Sequence, residues 1–178
     1  MGRPTNGDEK ISGSWRGKCM SAILQSTDSE YNFRTMVEDD LDNVLAVEES
    51  VYSFPWTRGI FFDCLHVGYI CRVLLRKEKL ISYSIMSVAA DESHLLTIVV
   101  AEDEQNKGYG RKMLDEMIRI AKQKGASAMY LEVRTSNKKA IQLYHQRGFN
   151  ELGIRNNYYP AENGREDALI LALDLSFL

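Results

Sequence analysis

A glycine-containing turn directly after an apolar segment is the part of the sequence best suited to bind a ligand. The apolar run Leu95–Ala101 leads into an acidic loop, and Gly108 and Gly110 then open an amphipathic helical segment. The first amides of a helix have no intrahelical acceptor and carry partial positive charge, so they bind anions. Glycines let the backbone approach such an anion closely. The pattern predicts a phosphate site, to which Lys107 and Arg111 add positive charge.

The spacing of this turn excludes two common phosphate-binding motifs. A dinucleotide-binding fingerprint requires a third small residue three positions after the second glycine, where this chain has Met113. The Walker pattern GxxxxGK[ST] is absent. What remains is Gln105-x-x-Gly108-x-Gly110, which by itself is equally consistent with an ordinary helix start. We expect the acidic residues before it, Glu102–Glu104, to form a solvated loop.

A glutamate and a tyrosine in apolar surroundings are candidates for proton transfer. Glu132 lies within the apolar segment Met129–Val133, and Tyr144 shares the apolar side of a helical segment with Ala140 and Ile141. A carboxylate in an apolar strand is paired with an arginine, exposed on the other face of the sheet, or used as a proton acceptor. A tyrosine in such a position is commonly part of the core, and its phenol can also donate a proton. The residue types alone leave these alternatives open.

Hydrophobic periodicity predicts the elements that position these residues. The predicted order, β-α-α-β-β-β-α-β-α-β-β, corresponds to a single α/β (α+β) domain with one mixed, mostly antiparallel sheet flanked by helices. The predicted strands are Tyr31–Met36, Tyr69–Leu75, Leu80–Ala89, Ser93–Val100, Ala128–Val133, Asn150–Asn157 and Asp167–Leu175. The predicted helices are Val37–Ser50, Thr57–Leu65, Gly110–Gly125 and Asn137–Arg147. We expect a loop containing Pro160 and Gly164 between the last two strands.

Length and composition indicate one folded domain and exclude several classes of protein. The chain has 178 residues, and its 22 Lys+Arg against 25 Asp+Glu give a net charge of −3, which argues against a dedicated nucleic-acid binder. Three cysteines with no CxxC pair and three histidines without ligand spacing indicate no metal site. We expect a cytoplasmic protein with no membrane span, a disordered tail over residues 1–30, and a domain over residues 31–178.

Several co-linear segments carry a resemblance to a known family. Besides the glycine turn, they are Phe54-Pro55-Trp56, Leu131-Glu132-Val133-Arg134, Ser136-Asn137, Ala140-Ile141-x-Leu143-Tyr144, Arg147-Gly148-Phe149-Asn150, Asn157-Tyr158-Tyr159-Pro160 and Gly164–Ala168. Together they resemble the GNAT superfamily of N-acetyltransferases and, more narrowly, the RimI-type ribosomal-protein alanine N-acetyltransferases. The resemblance covers about residues 31–175, and the tail before residue 31 has no counterpart.

The resemblance implies an enzyme that moves an acetyl group from acetyl-CoA to the N-terminal alanine amine of a small-subunit ribosomal protein. It assigns Glu132 as the proton acceptor, directly or through water, and Tyr144 as the acid that protonates the departing sulfur of coenzyme A. The amine attacks directly, and no metal takes part. An α-amine with a pKa of about 7.7–8.0 needs less help to lose its proton than a lysine amine near 10.4.

The resemblance also implies which residues hold the two substrates. Acetyl-CoA would meet the backbone of a strand that splays from its neighbour, the glycine turn, and Asn137, which could also cap its helix. These cofactor residues are Ile98, Val99, Val100, Asn106, Lys107, Gly108, Tyr109, Gly110, Arg111 and Asn137. The walls of the peptide cleft would be Phe54, Trp56, Tyr158 and Tyr159, although a plain core or turn role stays open for these aromatic residues.

Three positions depart from the family pattern, and two other functions stay open. Asn106 replaces a common arginine, which leaves less positive charge near the pyrophosphate; Ala101 replaces a common proline and Asn156 a basic residue. The first alternative is an acetyltransferase that acts on lysine or on a small-molecule amine. The second is a non-catalytic acyl-CoA sensor, which the presence of both candidate proton-transfer residues disfavours. The sequence also leaves open whether translation starts at Met1 or Met20.

Overall fold

The computed structural model describes residues 31–176, which form one seven-stranded sheet with four helices packed on it. The strands are β1 (Asn32–Thr35), β2 (Ile70–Arg76), β3 (Lys79–Ala89), β4 (Glu92–Val100), β5 (Ala128–Arg134), β6 (Asn150–Ala161) and β7 (Gly164–Asp174). The helices are α1 (Leu41–Val51), α2 (Arg58–His66), α3 (Tyr109–Gln123) and α4 (Lys138–Gln146). The predicted fold class and order of elements are confirmed. The expected tail and the alternative start at Met20 lie outside the described residues.

The sheet has the order β1-β2-β3-β4-β5-β7-β6, and β4–β5 is its parallel pair while the other neighbours are antiparallel. The parallel pairing is short, because it ends at Leu95 opposite Leu131. Beyond that point β4 stays paired with β3 as far as Val100, and β5 stays paired with β7 as far as Arg134. The two central strands therefore separate towards their carboxyl ends and open a gap in the sheet.

Two buried clusters of apolar side chains cover the two faces of the sheet. On one face, α3 packs Met113 and Met117 against the central strands. On the other face, α1 and α2 contribute Phe61 among other residues. The adjacent residues Val73 and Leu74 belong to different clusters, as expected for a strand whose successive side chains point to opposite faces. The helices on both faces hold the separating strands in place.

The C-terminal hairpin is longer than predicted, and the expected loop containing Pro160 and Gly164 is wrong. β6 continues through Pro160, which pairs with Arg165 of β7, so only residues 162 and 163 form the turn. The sheet order leaves β6 on the edge, where a proline without an amide hydrogen removes no ladder hydrogen bond. Within residues 31–176, no helix has the length and apolar character needed to cross a bilayer.

Candidate active site

A cleft of about 1140 Å³ opens where β4 and β5 separate. It is bounded by the end of β4, the N-termini of α3 and α4, the segment after α1 and the tip of the β6–β7 hairpin. Most of the site residues predicted from the sequence line this cleft. They are Phe54, Ile98, Val99, Val100, Asn106, Gly108, Tyr109, Gly110, Arg111, Asn137 and Tyr144.

The glycine turn has the geometry of a helix start that faces the cleft. Gly108 is the N-cap of α3 and has a φ of 84°, a conformation in which other residues are strained. Gly110 has no positive φ, and a Cβ there would lie 3.7 Å from Val100 Cγ2 and 3.8 Å from Leu143 Cδ2, which are ordinary contacts. The fold therefore requires glycine at 108 but has room for a side chain at 110.

The acidic segment before the turn is only partly solvated, so the expectation of a solvated loop is wrong for Glu104. Glu104 is 3% exposed, and its carboxylate accepts hydrogen bonds from Arg76 at 2.7 Å and from Lys107 at 3.0 Å. Lys107 also donates to the Asp103 carbonyl at 2.7 Å, and it does not line the cleft. Glu104 is buried where the β2 residue Arg76 reaches across to it, a long-range contact that the local sequence does not indicate.

Asn137 lies at the start of α4 and acts as its cap. Its side-chain oxygen accepts a hydrogen bond from the Ala140 amide at 3.2 Å, and the residue also lines the cleft. The capping role expected from the sequence is therefore present. The N-termini of α3 and α4, each carrying partial positive charge, both border the cleft.

Three tyrosines and a glutamate come together beside the cleft. Burial raises the pKa of Tyr144, and nearby Tyr52 and Tyr159 raise it further. Burial also raises the pKa of Tyr159, and the charge of Glu132 adds to this effect. A phenol is protonated at neutral pH even at its ordinary pKa of about 10, so Tyr144 can act as a proton donor there, and its raised pKa makes it a weaker acid. Tyr52 lines the cleft but is not among the site residues predicted from the sequence. Its position two residues before the Phe54-Pro55-Trp56 segment is the sequence feature that could have identified it.

Glu132 points away from the buried face of β5 that carries Leu131 and Val133, and its side chain is 24% exposed. Its carboxylate lies 3.5 Å from the guanidinium of Arg155, which is the arginine partner that the sequence left open. Its backbone carbonyl accepts a hydrogen bond from the Tyr159 hydroxyl at 3.1 Å. Neither Glu132 nor Tyr159 lines the cleft, whereas Arg134, two residues further along β5, and Pro160, the residue after Tyr159, do.

Arg134 joins β5 to the C-terminal hairpin at the rim of the cleft. Its guanidinium donates to the Pro160 carbonyl at 2.9 Å and to the Glu166 carboxylate at 3.1 Å. The same group lies 4.5 Å from the centre of the Tyr159 ring, an arrangement suited to a cation–π interaction. Arg134 therefore fixes Tyr159 and the tip of the hairpin relative to the strand that carries Glu132.

The predicted aromatic walls are placed in different environments. Phe54 lines the cleft and is 46% exposed, whereas Trp56 packs against Phe61 at a ring-centre distance of 5.6 Å. Tyr158 is exposed and packs edge-on against Tyr159 at 4.9 Å, outside the cleft lining. Phe54 is thus in direct reach of a ligand in the cleft, while Trp56 anchors the same segment to α2.

Comparison with known proteins identifies the family of this chain. A model of the Acetyltransferase (GNAT) family matches residues 29–149. The chain belongs to the GNAT acetyltransferase family. It is 39% identical over 137 residues to the ribosomal protein bS18-alanine N-acetyltransferase of Escherichia coli K12, covering 77% of this chain and 93% of that relative. The corresponding protein of Haemophilus ducreyi is 34% identical over 142 residues, covering 79% and 98%. This chain is therefore an acetyl-CoA-dependent N-acetyltransferase.

Solved structures show the same GNAT fold. The crystal structure of the Escherichia coli ribosomal-protein-S18-alanine N-acetyltransferase superposes with a TM-score of 0.78 at 37% identity, covering 82% of this chain and 94% of that one. A putative acetyltransferase from Salmonella typhimurium, solved with its cofactor acetyl-CoA, has a TM-score of 0.69 at 18% identity, covering 83% and 95%. The latter likeness concerns the fold alone.

The cleft fits acetyl-CoA as the co-substrate of this GNAT enzyme. Gly110 carries no side chain at the start of α3, although a Cβ there would make only ordinary contacts, so the space beside its backbone is open to a ligand. The unpaired amides of this helix start suit phosphate. β4 has no β5 partner beyond Leu95, so part of the strand edge beside Ile98–Val100 is not used for pairing with β5. Within residues 31–176, no three His, Cys, Asp or Glu side chains are grouped so as to hold a metal.

We expect Glu104 to stabilise the fold more than its exposed neighbour Asp103, whose carboxylate forms a surface ion pair with Lys79. Glu104→Gln should lower the free energy of unfolding by about 1–3 kcal/mol, because buried charged hydrogen bonds are lost. Asp103→Asn should change it by at most about 1 kcal/mol, as is usual for an exposed ion pair. Urea denaturation measures both values, and equal small losses would contradict the structural role of Glu104.

Proposed function

We propose that this GNAT enzyme acetylates the α-amine of an N-terminal alanine on a small-subunit ribosomal protein, with acetyl-CoA as donor. The observation that carries the proposal is the 39% identity to the Escherichia coli ribosomal protein bS18-alanine N-acetyltransferase, across 93% of that relative. The cleft supports it, because a helix-start anion site and the Tyr144 phenol border the same space. For an enzyme that acts on this substrate, we also predict a cytoplasmic location.

We assign the backbone along Ile98–Val100, the glycine turn and Asn137 to binding acetyl-CoA. Bound there, the co-substrate supplies an activated acetyl thioester. Unpaired amides at the α3 N-terminus would contact phosphate, with Arg111 as the basic side chain that lines the cleft. Lys107 supports the turn through Glu104 instead of lining the cleft. Asn106, where the family has an arginine, leaves the main chain to make most of the phosphate contacts.

We assign Glu132 to accept the proton of the attacking amine. A peptide α-amine has a pKa of about 7.7–8.0, so a carboxylate acting through water can remove its proton near neutral pH. A relayed transfer fits the position of Glu132, which borders Tyr159 but does not line the cleft. Arg155 lies 3.5 Å from the same carboxylate.

We assign Tyr144 to donate a proton to the departing sulfur. The residue lines the cleft and is 8% exposed, and burial holds its pKa above the ordinary value of a phenol. A thiol has a pKa near 8.5, so full proton transfer from a phenol in the ground state is uphill. Tyr144 therefore gives up its proton late, as negative charge develops on the sulfur.

The substrate assignment predicts acetylation only at a free N-terminus. We expect peptides that begin with alanine to gain one acetyl group from acetyl-CoA, and the same peptides with a blocked N-terminus to gain none. Intact-mass spectrometry measures the product. Acetylation that survives the block would favour lysine or another amine as the substrate. Binding of acetyl-CoA without acetylation of any amine in a broad panel would favour the sensor function.

The proton-transfer assignments predict large losses of turnover with intact cofactor binding. Glu132→Gln and Tyr144→Phe should each lower kcat by about 10²–10⁴-fold, the usual contribution of general acid–base catalysis. Acetyl-CoA affinity should stay unchanged. Glu151→Gln and Tyr130→Phe are matched controls, since the first carboxylate is exposed beside His145 and the second ring stacks on His94. Full turnover of Glu132→Gln with bound acetyl-CoA would rule out the base assignment.

The two glycines of the turn should respond differently to substitution. Gly110→Ala should fold normally, because the added Cβ makes only ordinary contacts, but should weaken acetyl-CoA binding by about tenfold or more as backbone and phosphate are pushed apart. Gly108→Ala should cost about 1–2 kcal/mol of stability because of its positive φ. Calorimetric titration and urea denaturation separate the effects. Wild-type affinity in Gly110→Ala would remove the phosphate site from this turn.

A further inference from the structure

One buried carboxylate is not used by the proton-transfer steps assigned above. Glu48 lies in the last turn of α1, is 3% exposed, and contacts Tyr83, which belongs to the buried apolar cluster beneath α1 and α2. Its Oε1 accepts the backbone N–H of Trp56 at 2.9 Å, and its Oε2 accepts the hydroxyl hydrogen of Tyr83. Both carboxylate oxygens are therefore committed to hydrogen bonds inside the protein.

Glu48 holds both ends of the segment that follows α1. Its backbone carbonyl accepts the amide of Tyr52 at 3.0 Å, while its side chain accepts the amide of Trp56. The residues between these two bonds include Phe54, which lines the cleft, as Tyr52 does. We name residues 52–56 the wall segment. One residue thus fixes the start and the end of the wall segment.

The same carboxylate connects the wall segment to the strands of the gap. Tyr83 is fully buried in β3 and pairs in register with Val99 of β4, one of the strand residues assigned to acetyl-CoA. Its ring packs on Phe61 at 5.5 Å, and Phe61 in turn packs on Trp56 at 5.6 Å. A hydrogen bond and a chain of rings therefore join the wall segment to the part of the sheet beneath the cleft.

We propose that Glu48 is a positioning residue that sets the distance between the bound amine substrate and the acetyl group. It does so by tying the wall segment, which faces the substrate, to Tyr83 of β3, the strand that pairs with β4. The proposal rests on the proposed function for the identity of the amine. Glu48 itself touches neither substrate, because its carboxylate oxygens are both occupied and its side chain is buried.

The test compares three variants in steady-state kinetics with an alanine-starting peptide and acetyl-CoA. Glu48→Ala removes the acceptor of Trp56 and should raise the KM for the peptide by about tenfold or more, with the KM for acetyl-CoA within about twofold of wild type. Glu48→Gln keeps an oxygen for the Trp56 amide and an amide that can donate to the Tyr83 hydroxyl, so it should restore the peptide KM to within about threefold. Tyr83→Phe keeps the Trp56 bond and should have an intermediate effect.

Hydrogen exchange at the Trp56 amide supplies a readout that does not depend on the substrate. Protection should be lost in Glu48→Ala and kept in Glu48→Gln and Tyr83→Phe. Retained protection in Glu48→Ala would overturn the proposal, whether or not the peptide is a substrate. A fall in apparent kcat in proportion to a lower folded fraction, with both KM values unchanged, would also overturn it and leave Glu48 with a purely structural role. A wild-type enzyme that acetylates no alanine-starting peptide would instead count against the proposed function.

Discussion

The short parallel pairing of β4 with β5 is the constraint on which the rest of the structure depends. The two strands share only four register positions, ending at Leu95 opposite Leu131, and each then follows its antiparallel partner away from the other. Every proposed function of the site uses the space that this separation creates. The helices on the two faces prevent the sheet from closing it, because α3 packs on one side and α1 with α2 on the other.

The fold and the cofactor side of the site follow closely from local patterns. The order of strands and helices could be predicted from periodicity, since most elements bury an apolar stripe of their own, although β6 is largely exposed. The glycine turn and the Asn137 cap could be read as well, because helix starts have local chemical requirements that a few neighbouring residues satisfy. The motifs around Glu132 and Tyr144 also indicated the GNAT family, and the comparisons with known proteins confirm it.

What could not be predicted depends on contacts between distant parts of the chain. Glu104 looks like a solvated acid in sequence, and it is buried only because Arg76 reaches it from β2. Tyr52 has no distinctive local pattern, and its place beside Tyr144 results from how α1 packs on the sheet. The length of the β6–β7 hairpin was underestimated because Pro160 looks like a loop residue until its edge position is known.

The pairing of Lys107 with Glu104 has a consequence for how ionic strength affects the enzyme. The lysine's charge is balanced by a buried carboxylate, and position 106 carries an uncharged asparagine, so the attraction of this turn for phosphate comes from main-chain dipoles together with the exposed Arg111. Dipoles that act at contact distance are screened far less by dissolved salt than long-range fields of exposed side chains. Dissolved salt should therefore weaken the contribution of Arg111 to holding the anionic ligand, while the main-chain contribution changes little between dilute and concentrated electrolyte.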